Sequence, residues 1–286
     1  MGPHREVIAH RGASASAPEN TMSSFELAAT FGAGSVETDL HVTSDGALVC
    51  LHDRTLERTT NVREVFPDRG RAILENGSAA RRWFVHDLTL DDVRRLDAGS
   101  WFGPAFAQAR IVTFDELLDW ARTRIAVLAE LKDPEVYSTF GVDMLGLCAA
   151  ALQRHGLVSP SSSDAVAVQS FHEDTVRRAG AMFGRRTPVA LLVEPADGTR
   201  LRRPEDLAEI ARFATRIAPG KAIVGDRPDV VTWAHDAGLQ VTPWTFRAST
   251  TGAFADVGAE IDHYLVDLGV DAVITDHPGA YVARHL

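Results

Sequence analysis

Two stretches near the start of the chain decide the fold, VIAHRGASASAPENT at residues 7–21 and VETDLHVTSDGALVCLHD at residues 36–53. In each, a short apolar run stops abruptly at charged residues, the first at His10 and the second at Glu37 and Asp39. Unpaired charge is too costly to bury for the sake of stability alone. We therefore interpret these positions as strand ends that carry a functional site.

Strand and helix patterns alternate along most of the chain. The predicted strands are residues 6–9, 35–42, 47–52, 125–131, 165–168, 188–193, 222–224, 241–245 and 272–275. The first helix is expected to follow an N-cap at Asn20 or Thr21. Later helices are predicted at residues 114–122, 136–155, 172–179, 204–214, 228–237 and 259–268.

This alternation favours an α/β protein with a parallel sheet that is buried on both faces. Eight such units in this length fit a closed (β/α)₈ TIM barrel. An open doubly wound sheet is the alternative, but no glycine-rich dinucleotide fingerprint follows the first strand, which counts against it.

Residues 54–110 interrupt the alternation after the second barrel strand. They are rich in Arg, Asp and Gly, contain Asn76-Gly77 and Gly103-Pro104 turns, and include one short helical pattern near residues 90–96. Loops this long in compact proteins are usually functional. We expect one domain over residues 1–286, with this insertion covering the mouth of the active site.

Composition limits the possible partners and the compartment. The chain has 286 residues, 45% hydrophobic and 24% charged, with a net charge of −10. An acidic surface argues against nucleic acid and against stable attachment to anionic lipid. Cys50 and Cys148 lack redox or metal-ligand spacing and are expected to be buried and unpaired. Without an apparent signal peptide, the sequence favours a cytoplasmic protein, and it does not specify an oligomeric state.

In a TIM barrel, the active site lies at the C-terminal ends of the strands. The predicted strand ends carry a shared set of charged and aromatic residues. These are His10, Glu37, Asp39, His52, Glu130, Lys132, Trp244 and Asp276. Because they come from separate strands and the fold gathers them at one mouth, the sequence predicts a single site there.

Four short motifs agree in order and spacing with one known family. They are His10-Arg11-Gly12, Pro18-Glu19-Asn20-Thr21, Glu37-x-Asp39, and His52-Asp53 followed by Leu56, Arg58 and Thr59. Together they resemble the glycerophosphodiester phosphodiesterase family, over nearly the whole chain. Residues 65–69 look like the insertion of its bacterial, glycerophosphodiester-specific branch. Arg247 departs from the asparagine that is common there, which leaves its role open.

Three carboxylates, those of Glu37, Asp39 and Glu130, would repel one another unless a cation lies between them. All-oxygen coordination favours Ca²⁺ or Mg²⁺ over zinc. The resemblance implies that these three are the metal ligands. The alternative is an ordinary salt bridge between Glu130 and Lys132 or Arg124.

The resemblance also implies roles for the remaining site residues. His10 and His52, whose ordinary pKa is near neutrality, would be the general acid and base, in an order that the sequence does not assign. Arg11 and Lys132 would contact the phosphate. Phe171 and Trp244 would form an apolar wall against the glycerol, unless they only pack in the core.

Several other residues near strand ends carry weaker signals. Gln169 could bond within the pocket or cap its strand, and His172 is a minor candidate. Glu194 and Asp226 occupy positions at the barrel mouth that match no family motif, so the prediction leaves them out of the site.

The expected reaction is metal-dependent hydrolysis of a small glycerophosphodiester to sn-glycerol 3-phosphate and an alcohol. Two alternatives remain at this stage. One is a lysophospholipase D-like activity on lysophospholipids, which would favour an apolar or basic rim facing a membrane. The other is a catalytically inactive binding barrel, which has no need of both histidines and all three carboxylates.

Overall fold

Eight parallel strands form a nearly closed barrel in the computed structural model, which describes residues 6–75, 77–158 and 165–285. Their order around the barrel is β10-β9-β8-β7-β6-β2-β1-β11. These strands are β1 Glu6–Ala9, β2 Ser35–Val42, β6 Ala126–Leu131, β7 Val166–Ser170, β8 Val189–Val193, β9 Arg216–Pro219, β10 Gln240–Val241 and β11 Ala272–Thr275. The predicted (β/α)₈ fold is thereby confirmed.

The barrel closes between β11 and the segment that follows β10. The backbone N–H of Asp271 donates to Val241 (3.0 Å), that of Ile274 to Pro243 (3.0 Å), and that of Phe246 to Ile274 (2.9 Å). Because Pro243 has no N–H, a regular ladder cannot continue through it. β10 is therefore only two residues long, where the sequence predicted a strand over residues 241–245.

Helices cover the outside of the barrel. Their bounds are α1 Met22–Thr30, α4 Phe114–Ala121, α5 Pro134–Thr139, α6 Met144–Arg154, α7 Glu173–Phe183, α8 Pro204–Ile210, α9 Lys221–Asp226, α10 Asp229–Asp236, α11 Val257–Asp262 and α12 Pro278–His285. Thr21 is the N-cap of α1, since its side chain accepts from the Ser24 N–H. Within the described ranges, no helix is long and apolar enough to cross a membrane.

Two predicted elements were wrong. The single helix expected over residues 136–155 is two helices, α5 and α6, separated at Gly141, whose φ of +77° does not fit a helix. The strand expected over residues 222–224 lies in helix α9, and the strand of that unit is β9. A short apolar run of this kind does not by itself distinguish a buried helix from a buried strand.

The insertion contains structure of its own. Just before it, β3 (Leu48–Cys50) pairs antiparallel with β2; the insertion then contains α2 (Val62–Val65), a hairpin of β4 (Arg71–Glu75) and β5 (Ser78–Arg82), and α3 (Leu90–Val93). A separate apolar cluster packs β3, α2 and α3 together; it includes Val49, Leu56, Phe66, Trp83 and Leu96. The hairpin was not predicted, because its strands are mostly exposed and show no buried face. Of its predicted turn, Asn76 lies outside the described residues. The one-domain arrangement stays a prediction.

Alternation along the strands separates the main core from the barrel interior. Val7 and Ala9 of β1 pack outward with the helices, while Ile8 points inward and contacts Leu128 and Ile274. Because side chains alternate along a strand, the next inward position on β1 is His10. An apolar floor thus lies directly beneath the charged residues at the C-terminal mouth.

Candidate active site

The inward-facing positions above this floor carry the charged residues that the sequence singled out. Glu37 and Asp39 lie on β2, Glu130 lies on β6, and His10 follows β1. In the parallel register Asp39 stands beside Glu130. The register of the strands therefore brings these groups together at the C-terminal mouth, with Glu37 two residues below Asp39 on the same strand.

Glu37, Asp39 and Glu130 form a buried carboxylate cluster. One oxygen from each lies within 4.8 Å of the other two. Asp39 Oδ1 is buried and makes no hydrogen bond. Lys132 Nζ lies 2.9 Å from Glu130 Oε1 and 3.6 Å from Asp39 Oδ1, so the salt bridge that was the alternative reading is also present. The predicted ion pair with Arg124 is not among these contacts, since Arg124 bonds the Trp120 carbonyl.

The electrostatics of this cluster suit a cation. Burial, and then repulsion from Asp39 and Glu130, raise the pKa of Glu37 well above its usual value. Burial is also the main cause that raises the pKa of Glu130, and Asp39 adds to it against Lys132. Burial alone would raise the pKa of Asp39, but Arg11 and Lys132 outweigh it and hold that pKa below its usual value. Three buried carboxylate oxygen donors with an unpaired oxygen fit a hard divalent ion.

His10 belongs to a hydrogen-bonded arm that crosses the barrel closure. Its Nδ1 lies 2.6 Å from Asp276 Oδ1, and the other oxygen of Asp276 accepts from Arg247 Nε at 2.8 Å. Burial, and then the neighbouring Arg11, lower the pKa of His10, although Asp276 opposes them. The arm leaves the Nε2 of His10 available to a reacting group.

His52 belongs to a second arm of the same composition. Its Nδ1 lies 2.6 Å from Asp53 Oδ1, and Asp53 Oδ2 accepts from Arg58 Nε at 2.6 Å. Arg58 also donates from both terminal nitrogens to Glu19, at 2.8 and 2.7 Å. Burial would raise the pKa of Asp53, but bonds from His52 and Arg58 outweigh it and hold that pKa below its usual value.

Arg11 connects this second arm to the carboxylate cluster. Its backbone N–H donates to Glu37 (3.0 Å) and its Nη1 to Glu19 (3.1 Å). Its Nε lies 3.1 Å from Asp39 Oδ2 but makes no hydrogen bond with it. Arg11 thus keeps a buried donor at the mouth of the barrel.

Asn20 is a further residue of the site, which the sequence indicated as a candidate helix cap and as part of a motif but not as a site residue. Its Nδ2 donates to Asp39 Oδ2 at 2.9 Å, and its Oδ1 accepts from Thr38 Oγ1 at 2.8 Å. It has a left-handed φ of +57°, which asparagine tolerates better than most residues. Its place in the Pro18-to-Thr21 motif was the available signal.

A cavity of about 380 Å³ lies above the cluster. Both histidines, Arg11, Lys132 and Arg247 line it, with Phe171, Leu192, Trp244 and Ile274 as its apolar wall. The rings of Phe171 and Trp244 meet edge to face at 5.6 Å. A larger cavity of about 560 Å³ lies at the opposite end of the barrel, around Glu6 and Arg216, where active sites of this fold are not found.

The weaker candidates have different positions. Gln169 lines the cavity and has a buried Oε1 without a partner, with Nε2 3.5 Å from Glu37. Glu194, which the prediction left out, also lines it. The Nδ1 of His172 lies 2.9 Å from Thr175 Oγ1, and His172 lines a different cavity. Asp226 lines a third cavity. The nine predicted site residues lie together at one mouth, while their roles stay predictions.

Comparison with known proteins agrees with this arrangement. The model of the glycerophosphoryl diester phosphodiesterase family matches residues 10–280. The chain belongs to this family. YhdW of Bacillus subtilis is 31% identical over 277 residues, which cover 95% of this chain and 94% of YhdW. A glycerophosphodiester phosphodiesterase of the same organism is 29% identical over 294 residues, covering 98% of this chain and 87% of that protein.

The fold is also shared with solved structures. One is an Oleispira antarctica phosphodiesterase in complex with the product sn-glycerol-3-phosphate. It superposes with a TM-score of 0.72 at 24% identity, covering 98% of this chain and 95% of that chain. At 24% identity, the similarity to this structure shows a shared fold and no more.

Proposed function

We propose that this protein hydrolyses small glycerophosphodiesters to sn-glycerol 3-phosphate and an alcohol. The observation that carries the proposal is the buried carboxylate cluster flanked by two histidines, each with its Nδ1 on a carboxylate. Family membership, the named Bacillus subtilis phosphodiesterase and the product in the Oleispira antarctica structure support the same reaction.

Glu37, Asp39 and Glu130 would hold a divalent cation, Ca²⁺ or Mg²⁺. Hard cations prefer oxygen ligands, and Asp39 Oδ1 provides one that makes no hydrogen bond to the protein. When bound, the cation would supply Lewis-acid stabilisation of charge on the phosphoryl oxygens. Asn20 would fix the second oxygen of Asp39 through its 2.9 Å hydrogen bond.

His10 and His52 would move the protons. Each has its Nδ1 held by an aspartate, which orients the ring and leaves Nε2 for the substrate. One histidine takes a proton as the attacking oxygen bonds to phosphorus, and the other gives a proton to the alkoxide as its P–O bond breaks. The attacking oxygen belongs to water or, through a cyclic phosphate that water then opens, to the glycerol 2-hydroxyl.

Arg11 and Lys132 would bind the phosphate, because both are buried cations that line the cavity beside the cluster. The guanidinium of Arg11, which lies beside the cluster, has the planar fork that suits phosphate oxygens. Phe171 and Trp244 would pack against the carbon atoms of the glycerol. Their apolar wall and the charged phosphate contacts together orient the diester.

The test is release of sn-glycerol 3-phosphate from glycerophosphocholine and glycerophosphoglycerol, with EDTA, Ca²⁺ or Mg²⁺, beside a His10→Ala variant. We expect release that depends on the cation and is lost in the variant. Cleavage of lysophospholipid in place of both diesters would move the protein to a lysophospholipase D-like activity. No cleavage of either class would point to an inactive binding barrel.

A further inference from the structure

Glu194 differs from the other carboxylates that line the reaction cavity. Glu37, Glu130 and Asp53 each bond another protein group. Within the described part of the chain, the carboxylate of Glu194 makes no hydrogen bond or ion pair, although the residue lines the same cavity. Its side chain also does not cap the 3₁₀ helix Pro195–Leu201 that follows it. The carboxylate is therefore available to a bound molecule.

Glu194 occupies the next inward position of β8. Ala190 and Leu192 of this strand form an interior cluster against which Phe171 and Trp244 pack. The backbone at Glu194 stays extended, with φ −65° and ψ 147°. Because side chains alternate along an extended chain, the carboxylate follows Leu192 on the cavity side. It stands at the top of the apolar wall.

The two rings of this wall approach each other across the end of β8. Trp244 Nε1 donates to the Ala218 carbonyl on β9 at 2.7 Å. Phe171, directly after β7, meets the Trp244 ring edge to face at 5.6 Å. Since β8 lies between β7 and β9, the strand that carries Glu194 ends between the two rings.

β8 lies opposite β1 in the order of the strands around the barrel. The phosphate contacts of the proposed function, Arg11 and Lys132, follow β1 and β6, and the carboxylate cluster lies on β2 and β6. A glycerol with its phosphate on that side and its carbons against the two rings directs its terminal hydroxyl towards the end of β8. An ionised carboxylate accepts hydrogen bonds, and a free hydroxyl donates one.

We propose that Glu194 is a specificity-determining residue that accepts a hydrogen bond from the terminal (sn-1) hydroxyl of the glycerol. The inference rests on the proposed function and deepens it. In a 1-acyl lysophospholipid the same oxygen is esterified and has no hydrogen to donate, so the carboxylate loses water without gaining a partner. A site built to bond a hydroxyl rejects an analogue that lacks it. Glu194 thus selects diesters whose glycerol is unacylated.

The test compares kcat/KM for glycerophosphocholine and for 2-hydroxypropyl phosphocholine, which lacks only the terminal hydroxyl, in the wild type and in Glu194→Leu. Both substrates carry choline, so the alcohol half is constant. We expect the wild type to prefer glycerophosphocholine by about tenfold or more, since the hydrogen bond involves a charged group. The variant should lose most of this preference, chiefly through a higher KM for glycerophosphocholine, because the bond is made in the bound substrate and in the transition state alike.

Two further comparisons sharpen the test. Glu194→Gln keeps an accepting oxygen without the charge and should retain part of the preference. The preference for glycerophosphocholine over 1-palmitoyl lysophosphatidylcholine should also fall in Glu194→Leu. Glu205→Gln is the matched control, because Glu205 is exposed on α8, directly after this segment, and lies outside the lining of the reaction cavity. It should keep both wild-type ratios, and melting temperatures of all variants confirm folding.

An equal loss on glycerophosphocholine and 2-hydroxypropyl phosphocholine in Glu194→Leu would place the carboxylate against the choline and overturn the assignment. An unchanged ratio of these two substrates would overturn the hydrogen bond, and an unchanged ratio for the lysophospholipid would overturn the selection against acylated glycerol. Failure of the wild type to release sn-glycerol 3-phosphate from glycerophosphocholine would instead overturn the proposed function.

Discussion

Each of the two histidine arms consists of a histidine, an aspartate and an arginine. The residues of the first arm are distant in sequence, and those of the second are close in sequence. In the first, His10 bonds Asp276 and Asp276 bonds Arg247, so residues 266 positions apart meet beyond the paired strands β1 and β11. In the second, His52 bonds the adjacent Asp53, which bonds Arg58. The side chains of His10 and Asp276 are 10% and 19% exposed, against 32% and 30% for His52 and Asp53.

This difference separates two ways of orienting a catalytic histidine. The first arm depends on the complete barrel and on exclusion of water, which also lowers the pKa of His10. The second arm is local, and the insertion and Glu19 support it from the solvent side. Because electrostatic interactions are stronger where the dielectric is low, we expect the first arm to be the more sensitive to substitution.

The largest effect should come from removing either ring. We expect His10→Ala and His52→Ala each to lower kcat by roughly 10²- to 10⁴-fold, the range of general acid–base catalysis. The double variant should lose less than the product of the two, since both groups serve one proton-transfer step. Steady-state kinetics on glycerophosphoglycerol measure this. Retention of most activity by either variant would remove that histidine from the mechanism.

Replacing the aspartate of each arm should distinguish the two arms more sharply than replacing the histidines. We expect Asp276→Asn to lower kcat by about 100-fold and Asp53→Asn by about tenfold, because the first pair is better shielded from water. The melting temperature of each variant serves as the control for folding. Equal losses would contradict the claim that burial makes the first arm the more sensitive.

His41 supports the second arm from within the barrel wall and should make stability depend on pH. Its Nε2 lies 3.0 Å from the His52 carbonyl and its Nδ1 2.9 Å from Tyr137 Oη. Burial is the main cause that lowers the pKa of His41 from 6.5 to about 4. Because the folded state resists protonation of His41, the contribution of this residue to the free energy of unfolding is fully present above pH 6.5. It is lost as the pH falls towards 4.

The size of this effect is up to about 3 kcal/mol of unfolding free energy, from the pKa difference between the folded and unfolded states. His10, whose pKa is also lowered, acts in the same direction. Urea unfolding at several pH values, with His41→Gln beside the wild type, measures it. The variant should show a flatter pH dependence, and an identical slope would show that His41 does not contribute.

The smallest effects should come from the arginines at the ends of the two arms, both 42% exposed. Exposed ion pairs contribute little, so we expect Arg247→Lys to lower kcat by about two- to threefold. Arg58→Lys should cost about fivefold, because it also loses the paired bonds to Glu19. A reversed order in kcat measurements would show that Arg247 contributes more than its single bond indicates.

The sequence predicted the barrel strands that are buried on both faces of the sheet. The predicted bounds of β1, β2 and β11 match the structure. β1 and β11 are short apolar runs, and β2 lies between the glycines at 32–34 and the Ser44-Asp45-Gly46 turn. It failed where this signal was absent: the exposed hairpin of β4 and β5, and the short apolar run in α9. In both cases the assignment depended on which side chains are buried in the fold, and the sequence reveals this only indirectly.

The site, too, contains residues that the sequence predicted and residues that it did not. The nine predicted residues lie together because strand ends converge in a barrel, which is a consequence of fold class alone. The partners that orient them were not predicted, notably Asn20 on Asp39 and Arg247 on Asp276. Such contacts depend on the approach of loops distant in sequence.

The most direct test of the account is calorimetric titration of sn-glycerol 3-phosphate into the protein, with EDTA and then with Ca²⁺ or Mg²⁺. Glu130→Gln removes one carboxylate of the cluster, and Glu135→Gln, at an exposed position on α5, is its control. The account predicts product binding that requires the cation, is weakened in Glu130→Gln and is retained in Glu135→Gln. Equally tight binding in EDTA, or in Glu130→Gln, would contradict a phosphodiester site organised around this cluster.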